Sequence, residues 1–174
     1  MKRYVFKYAP GGDMMVETNM LYSPIYDSDT NKLTMLFDST DAYQNSMVEH
    51  NWPERPFYTS EVTEYFYNRE KKYLELFKDK PWTPDNIEFD DSKQAITFDW
   101  PGKSCNHHIF IDNNLNDLCP DWEQQLEEIV LDIVQSGVYK VTLYPHCFFV
   151  QDGQLKTIDF YGSVDINDPY INGE

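Results

Sequence analysis

The chain has 174 residues, of which 41% are hydrophobic and 16% aromatic, a composition typical of a globular protein and not of a disordered one. The length is that of one domain with a core of modest size. Its 14 Lys and Arg residues stand against 30 Asp and Glu, giving a formal net charge of −16 at pH 7. Because that charge repels phosphate backbones, the composition argues against a nucleic-acid-binding surface.

Features of membrane and secreted proteins are missing from the sequence. No apolar run approaches the roughly 20 residues needed to cross a bilayer, and the N-terminus lacks the apolar core of a signal peptide. The three cysteines, Cys105, Cys119 and Cys147, are an odd number at irregular spacing, which indicates a reducing compartment. We therefore expect a cytoplasmic protein with no membrane partner. A small acidic chain of this kind would also suit a virus-encoded protein in a host cytoplasm.

The N-terminal part is predicted to form strands followed by one helix. The strands are Arg3–Ala9, Met14–Ser23 and Lys32–Phe37, and residues 38–57 are predicted to be irregular. The helix is predicted over Glu61–Lys78, with Ser60 as N-cap and a stop at Pro81.

Glu70 lies within the apolar stripe of this helix. At 100° per residue the stripe is formed by Val62, Phe66, Tyr73, Leu74 and Phe77. A carboxylate there is costly unless it is paired or hydrogen-bonded, so Glu70 calls for a basic or metal partner. The alternative is that Glu70 lies at the edge of a groove, where its side chain is partly exposed to solvent.

The C-terminal part is predicted to contain two strands, a helix and a hairpin. Strands over Asn86–Asp90 and Gln94–Asp99 end at Trp100-Pro101-Gly102. The helix is predicted to have Cys119 as its cap, Pro120 at its first position and Gly137 at its end. Extended segments follow at Tyr139–Leu143 and Cys147–Val150, the second forming a hairpin with Leu155–Phe160 through a turn at residues 151–153. The polar residues 161–174 are expected to fray.

The segment Leu143–Gly162 resembles the catalytic loop and metal loop of the protein-kinase-like superfamily, especially its small-molecule and atypical branches. In that family a helix leads to a loop with a catalytic Asp and a Pro-x-Asn, and a hairpin then ends in Asp-Phe-Gly. Pro145 matches the loop proline and Asp152-Gly153 the hairpin turn. Ile158-Asp159-Phe160-Tyr161-Gly162 resembles the Asp-Phe-Gly element with one insertion.

The resemblance implies an α+β, kinase-like fold. Helix Glu61–Lys78 would correspond to the αC helix of the family, and Glu70 to the Glu that this helix carries. Residues Trp100–Gly102 would correspond to the hinge. The fold would have a mostly antiparallel N-terminal sheet with one αC-type helix, then a minimal C-terminal part of one helix and a β-hairpin. Residues 1–174 would form a single domain, with an N-lobe-like part at 1–102, a truncated C-lobe-like part at 103–162 and a tail at 163–174.

Several groups that phosphoryl transfer requires are replaced or unassigned. The resemblance places the catalytic Asp on Thr142 and the loop Asn on Cys147, and neither side chain can perform those roles. No glycine-rich phosphate loop is present. The lysine that Glu70 would order is left open between Lys7 and Lys32.

We therefore expect a catalytically degenerate protein that binds a partner protein, with ATP and Mg²⁺ as the ligands that its cleft would hold. The nucleotide would lie between Trp100–Gly102 and the hairpin of residues 148–160, with Asp159 towards the metal. One alternative is an active atypical phosphotransferase that uses Asp152 or Asp165 instead. Another is an acidic decoy that occupies a basic surface of a partner, anchored by exposed aromatic residues at 22–26 and 52–58. The other interpretation of these aromatic residues is that they belong to the core. The oligomeric state and the partner's identity are not indicated.

A set of soft and borderline metal ligands is also present, and four of them would satisfy a tetrahedral zinc ion. Their spacing matches no compact zinc motif, so the ordinary interpretation is core and surface residues. The set is Cys105, His107, His108, Cys119, His146 and Cys147.

Overall fold

The computed structural model describes residues 2–4, 22–37 and 60–167, and its architecture is α+β. The helices are α1 (Ser60–Leu76), α2 (Cys105–Phe110), α3 (Leu115–Leu118) and α4 (Trp122–Gln135). The strands are β1 (Lys2–Tyr4), β2 (Ser23–Asp27), β3 (Lys32–Leu36), β4 (Glu88–Asp90), β5 (Ala95–Asp99), β6 (Val138–Tyr139), β7 (Phe148–Gln151), β8 (Gln154–Thr157) and β9 (Val164–Asp165).

Five strands form an antiparallel sheet in the order β1-β2-β3-β5-β4. The central strand, β3, alternates as the pleat requires, with Leu33 and Met35 buried in the core. Lys32 and Thr34 lie on the opposite face, where the Thr34 hydroxyl is 2.9 Å from that of Thr97 on β5. One face of the sheet is therefore packed against the core, and the other face is in contact with solvent.

Helix α1 contributes aromatic and aliphatic side chains to the same core as the sheet. Tyr73 and Leu74 are buried, as is Phe77 directly after the helix, as the apolar stripe predicted, and burial of each such side chain contributes roughly 2 kcal/mol. Tyr67 is also buried, although its hydroxyl reaches the rim and donates to Asp91 Oδ1 at 2.6 Å. The observed helix begins and ends within two residues of the predicted one.

The prediction that Cys119 caps helix α4 is wrong. A short helix, α3, precedes it, and Cys119 closes α3 by donating its backbone N–H to the Leu115 carbonyl at 2.9 Å. Helix α4 instead has Asp121 at its N-cap. Its end was predicted correctly, because Gly137 follows with φ +78°, a conformation that glycine adopts without strain. Helix α2, capped by the Ser104 hydroxyl, was not predicted.

Strands β7 and β8 form the predicted hairpin. Asp152 and Gly153 in the turn have φ values of 50° and 80°, which is the pair of positive angles that a tight two-residue hairpin requires. The expectation that residues 161–174 fray is wrong for their first part, because β9 pairs with β6 and places Asp165 beside Val138. Residues 168–174 lie outside the described part of the chain.

Other predicted elements fall wholly or partly outside the described residues. These are the strands predicted over Arg3–Ala9 and Met14–Ser23, of which the structure describes only residues 3–4 and 22–23, and the irregular region 38–57. The described strand β2 extends beyond the predicted one, to Asp27. No helix in the described ranges combines the length and apolar character needed to span a bilayer.

The chain leaving β5 runs directly against the hairpin. Ser104 forms an isolated antiparallel bridge with Phe149 on β7. Gly102 has φ +89°, and a Cβ atom added there would lie 2.5 Å from the Val150 carbonyl oxygen. This close backbone approach joins the sheet to the C-terminal part.

Gly102→Ala should lower the free energy of unfolding by about 2–4 kcal/mol, because the new methyl group overlaps a backbone oxygen and the positive φ strains any side chain. Gly162→Ala is the matched control, since its Cβ would meet nothing closer than the Val141 methyl group at 3.9 Å. We expect the control to stay within about 0.5 kcal/mol of the wild type in urea denaturation. Equal losses in the two variants would contradict the close approach.

Candidate functional site

Asp159 lies two residues after β8, at the centre of the described structure. Its side chain is 0% exposed, and its backbone has φ +71°, in the left-handed region. Asp and Asn tolerate this conformation better than most residues, but it is uncommon in non-glycine residues and clusters at functional sites. The backbone of Asp159 is therefore held by its surroundings.

Glu70 is one of the groups that hold it. The backbone N–H of Asp159 donates to Glu70 Oε1 at 2.9 Å, and the Glu70 side chain is also 0% exposed. The interpretation of Glu70 as a wet groove-edge residue is therefore wrong. The structure brings together the two acidic residues on which the resemblance depended, and a buried carboxylate needs such donors to offset its lost hydration.

Tyr22, just before β2, binds the side chain of Asp159. Its hydroxyl donates to Asp159 Oδ1 at 2.5 Å, and Tyr22 is only 3% exposed. Its ring packs near those of Phe37 and Tyr161, with centroids 5.3 and 6.1 Å away. Of the two interpretations of this aromatic residue, Tyr22 therefore follows the core one and is not an exposed anchor. Sequence reasoning missed its role because the two partners are 137 residues apart in the chain.

Thr142, the residue at the expected catalytic Asp position, is bonded to the backbone of Asp159. Its hydroxyl donates to the Asp159 carbonyl at 2.5 Å and accepts a bond from Lys140 Nζ at 2.6 Å. Lys140 also donates to the same Asp159 carbonyl at 3.2 Å and lies 4.8 Å from the centroid of the Phe160 ring. A lysine amine and a threonine hydroxyl, both bonded to the Asp159 carbonyl, thus occupy this position in place of a carboxylate.

Lys32 lies away from Glu70. It is on the wet face of the sheet, where its Nζ donates to Glu88 Oε1 at 2.9 Å. The expectation that Lys32 pairs with Glu70 is therefore not met, because alternation along β3 turns Lys32 away from the core that contains Glu70. The other candidate, Lys7, lies outside the described residues.

The expected nucleotide walls, Trp100–Gly102 and the hairpin, meet each other at Gly102. The centroids of the Trp100 and Tyr26 rings are 4.7 Å apart, and the backbone N–H of Trp100 donates to the Asn31 carbonyl at 2.9 Å. These contacts connect the hinge-like segment to the β2–β3 turn. Cys147, at the expected loop Asn position, is buried, and its carbonyl accepts from the Thr157 hydroxyl at 3.0 Å.

The two alternative catalytic carboxylates lie elsewhere in the fold. Asp152 is exposed in the hairpin turn, at the end of the hairpin opposite Asp159. Asp165 accepts bonds from Lys72 Nζ at 2.9 Å and the Tyr73 hydroxyl at 3.3 Å. The hydrogen bond from Lys72 lowers the pKa of the Asp165 carboxyl, so Asp165 serves as the acidic partner of an ion pair.

The cysteines and histidines make separate contacts. His108 Nδ1 is 2.9 Å from Asn114 Oδ1, His107 Nε2 is 3.2 Å from Asp112, and the Cys119 thiol donates to the Gly153 carbonyl at 3.3 Å. Within the described ranges no three His, Cys, Asp or Glu side chains are grouped so that they could hold a metal ion. Burial raises the pKa of Cys105 to about 12 and that of Cys119 to about 11, which disfavours the thiolates that zinc binds.

Comparison with known proteins supports the fold and does not identify the protein. No protein-family model matches the chain, and no curated protein matches it in sequence. Among 53 similar chains in solved structures is WbdD, crystallised with a kinase inhibitor, with 10% identity and a TM-score of 0.53. The match covers 87% of this chain and 33% of that one, so this chain spans about a third of its neighbour's length. The fold is α+β and kinase-like, as the resemblance implied.

Tyr22→Phe and Asp159→Asn should each destabilise the protein, and their effects should be coupled by about 1.5–3 kcal/mol, as for a buried hydrogen bond to a charged group. Asn suits the left-handed backbone, so this variant removes the charge with little added strain. A double-mutant cycle in urea measures the coupling. Tyr26→Phe is the control, because its hydroxyl donates to Asn31 Oδ1 at 3.1 Å in an exposed position and does not contact Asp159. A coupling near zero would contradict the arrangement.

Cys105 and Cys119 should react slowly with iodoacetamide in the native protein at pH 8. Their raised pKa values leave few thiolates, and burial blocks access, so we expect rates on the order of 100-fold or more below those in urea. Mass spectrometry of quenched samples assigns the label to each cysteine. Rapid native labelling of Cys105 would show that the buried environment described above is wrong.

Proposed function

We propose that this chain is a catalytically degenerate kinase-fold protein, comparable to a pseudokinase, that acts by binding a partner protein. The observation that carries this proposal is the set of bonds to Asp159. Its carboxylate accepts from Tyr22, its N–H donates to Glu70, and its carbonyl accepts from Thr142 and Lys140. These bonds connect the start of β2, helix α1 and the loop after β8.

The state of the Asp159 carboxylate favours a structural role. Mg²⁺ demands oxygen ligands in near-octahedral geometry and usually keeps several waters. Asp159 is 0% exposed, and its Oδ1 already accepts the Tyr22 hydroxyl. Metal binding at this side chain would therefore require Tyr22 to withdraw and the surrounding core to open.

The groups needed for proton transfer give a second line of support. A catalytic base must lie within hydrogen-bond reach of the acceptor hydroxyl, directly or through one water. Thr142 replaces that base beside Asp159, while Asp152 lies in the turn at the far end of the hairpin and Asp165 is bonded to Lys72 and Tyr73. The atypical phosphotransferase is therefore the less supported alternative.

The decoy alternative is weakened for a different reason. It required exposed aromatic anchors near residues 22–26, but Tyr22 is in the core and Tyr26 packs against Trp100. The other proposed anchors, residues 52–58, lie outside the described part. The acidic residues of the chain also surround an apolar groove between helices α2 and α4, and this groove is a better candidate for a binding surface.

Incubation with MgATP tests the proposal directly. We expect no ATP hydrolysis or autophosphorylation above background, and no rise in melting temperature at millimolar MgATP, in the wild type or in Asp159→Asn. A ligand at 100 times its Kd would add about 2.7 kcal/mol of stability, so binding would be visible.

Two outcomes would overturn this expectation in different ways. Phosphoryl transfer that Asp159→Asn abolishes would establish an enzyme. An MgATP-dependent rise in melting temperature that Asp159→Asn loses would show that this carboxylate holds a nucleotide-bound metal. Tyr22→Phe serves as the comparison, because it alters the same bond while keeping the carboxylate.

A further inference from the structure

An apolar groove lies on the C-terminal part of the structure, away from the Asp159 bonds. It has a volume of about 80 Å³ and runs between helices α2 and α4 and the loop that precedes β7. Buried side chains form its floor: Cys105, Leu115, Phe148 and Leu155. Its walls are Ile109, Trp122, Leu126, Leu143 and Pro145.

The walls of this groove are open to solvent. Ile109 is 37% exposed and Leu143 45%, and the neighbouring Phe110 and Tyr144 are more exposed still. Single exposed apolar side chains are ordinary on protein surfaces. A concave apolar groove bordered by several of them is typical of a docking site.

The surroundings of the groove are strongly acidic. Residues 104–139 contain no Lys or Arg and seven carboxylates: Asp112, Asp117, Asp121, Glu123, Glu127, Glu128 and Asp132. Asp112 pairs with Lys103, and Asp132 lies 3.6 Å from Lys80. The other five form no ion pair with a described cation.

Two of these acidic residues, Glu123 and Glu127, are next in sequence to residues that line the groove. Trp122 and Leu126 line the groove from successive turns of α4, and Glu123 and Glu127 follow each of them by one residue. On a helix this puts a stripe of negative charge beside the apolar stripe. A ligand seated in the groove would therefore meet carboxylates along its flank.

We propose that this groove docks a basic amphipathic helix of a partner protein. Aliphatic side chains of that helix would enter the groove, and its Lys and Arg residues would face Glu123, Glu127 and the neighbouring acids. This inference rests on the proposed function, because it assigns the site and the partner class of the binding role. A second copy of the chain is a poor occupant, since two molecules of charge −16 repel each other.

A synthetic peptide tests this proposal with the full chain. The probe is a fluorescent peptide of about 16 residues, some four helical turns, with leucines on one stripe and lysines elsewhere. A second peptide has the same composition with the leucines scattered round the helix, which keeps the charge and removes the apolar face. We expect the scattered peptide to bind at least about tenfold more weakly in fluorescence anisotropy.

Two pairs of variants locate the binding site. Ile109→Ser with Leu143→Ser, and Glu123→Lys with Glu127→Lys, should each weaken binding of the striped peptide by about tenfold or more. The controls are Leu76→Ser, an exposed leucine on α1, and Glu64→Lys with Glu75→Lys on the same helix. These controls should stay within about twofold of the wild type, apart from the charge controls' small loss at low salt. Circular dichroism of each variant checks that it is folded.

Several outcomes would overturn the proposal. Equal affinity for the two peptides would show unspecific attraction to an acidic surface, and absence of binding would show that the groove does not accept a basic helix. Loss of binding in the controls as much as in the groove variants would place the site elsewhere. Self-association that Ile109→Ser with Leu143→Ser abolishes, seen by sedimentation, would identify a second copy as the occupant.

The failure of this inference would be distinguishable from failure of the proposed function. Asp159→Asn should bind the striped peptide as the wild type does, because Asp159 lies outside the groove. Docking can therefore fail while MgATP remains without effect, and phosphoryl transfer can be detected whether or not the peptide binds.

Discussion

The buried position of Asp159 constrains the rest of the structure. A carboxylate without solvent must be hydrogen-bonded, and here Tyr22 supplies the donor to its side chain while the Glu70 carboxylate accepts from its backbone. These two residues come from the start of β2 and from helix α1, so the bonds connect the N-terminal part with the loop after the hairpin. Thr142 and Lys140 complete the set from the other side, at the Asp159 carbonyl.

This arrangement supports the proposal that the kinase-like fold of this chain lacks phosphoryl-transfer activity. The resemblance would assign these positions to metal, phosphate and an acceptor proton, and in phosphoryl transfer each must be accessible to substrate. In this chain they are hydrogen-bonded to one another in the interior. These bonds hold the geometry, because loss of the hydrogen bond from a buried donor such as the Asp159 N–H costs about 1–3 kcal/mol.

The surface carries the features that suit recognition. Helices α2 and α4 leave an apolar groove open, and the acidic residues beside it have few cations to neutralise them. The groove and the Asp159 bonds share no described residue. A partner with a basic, partly apolar helix would satisfy both the shape and the charge of this surface.

Local features of the fold were predictable because they depend on neighbouring residues. Helix α1 follows from its apolar spacing and from Pro81, and the β7–β8 turn follows from Asp152-Gly153. The end of α4 at Gly137 has the same local origin. The cap of α4 was misplaced because Cys119 is used by α3, whose four residues leave little periodic signal.

The candidate site was only half predictable. Motif resemblance placed Glu70 and Asp159 together, and the structure joins them at 2.9 Å. Tyr22 could not be found in this way, since nothing in its own neighbourhood marks a partner 137 residues away. Lys32 was misassigned because its orientation depends on the register of β3 with β5, which pairs Lys32 with Asp99 and directs Leu33 to the core.

By itself, the amino-acid sequence determined the charge of the chain and the existence of its main helices and hairpin. Those properties depend on composition, short-range spacing and residue type. The tertiary structure alone decided that the Asp159 carboxylate is hydrogen-bonded by Tyr22, that residues 164–165 form a strand, and that an apolar groove stays open beside α4. Such features arise when distant segments compete for the same buried donors and apolar surface, and that competition is settled only when the whole chain packs.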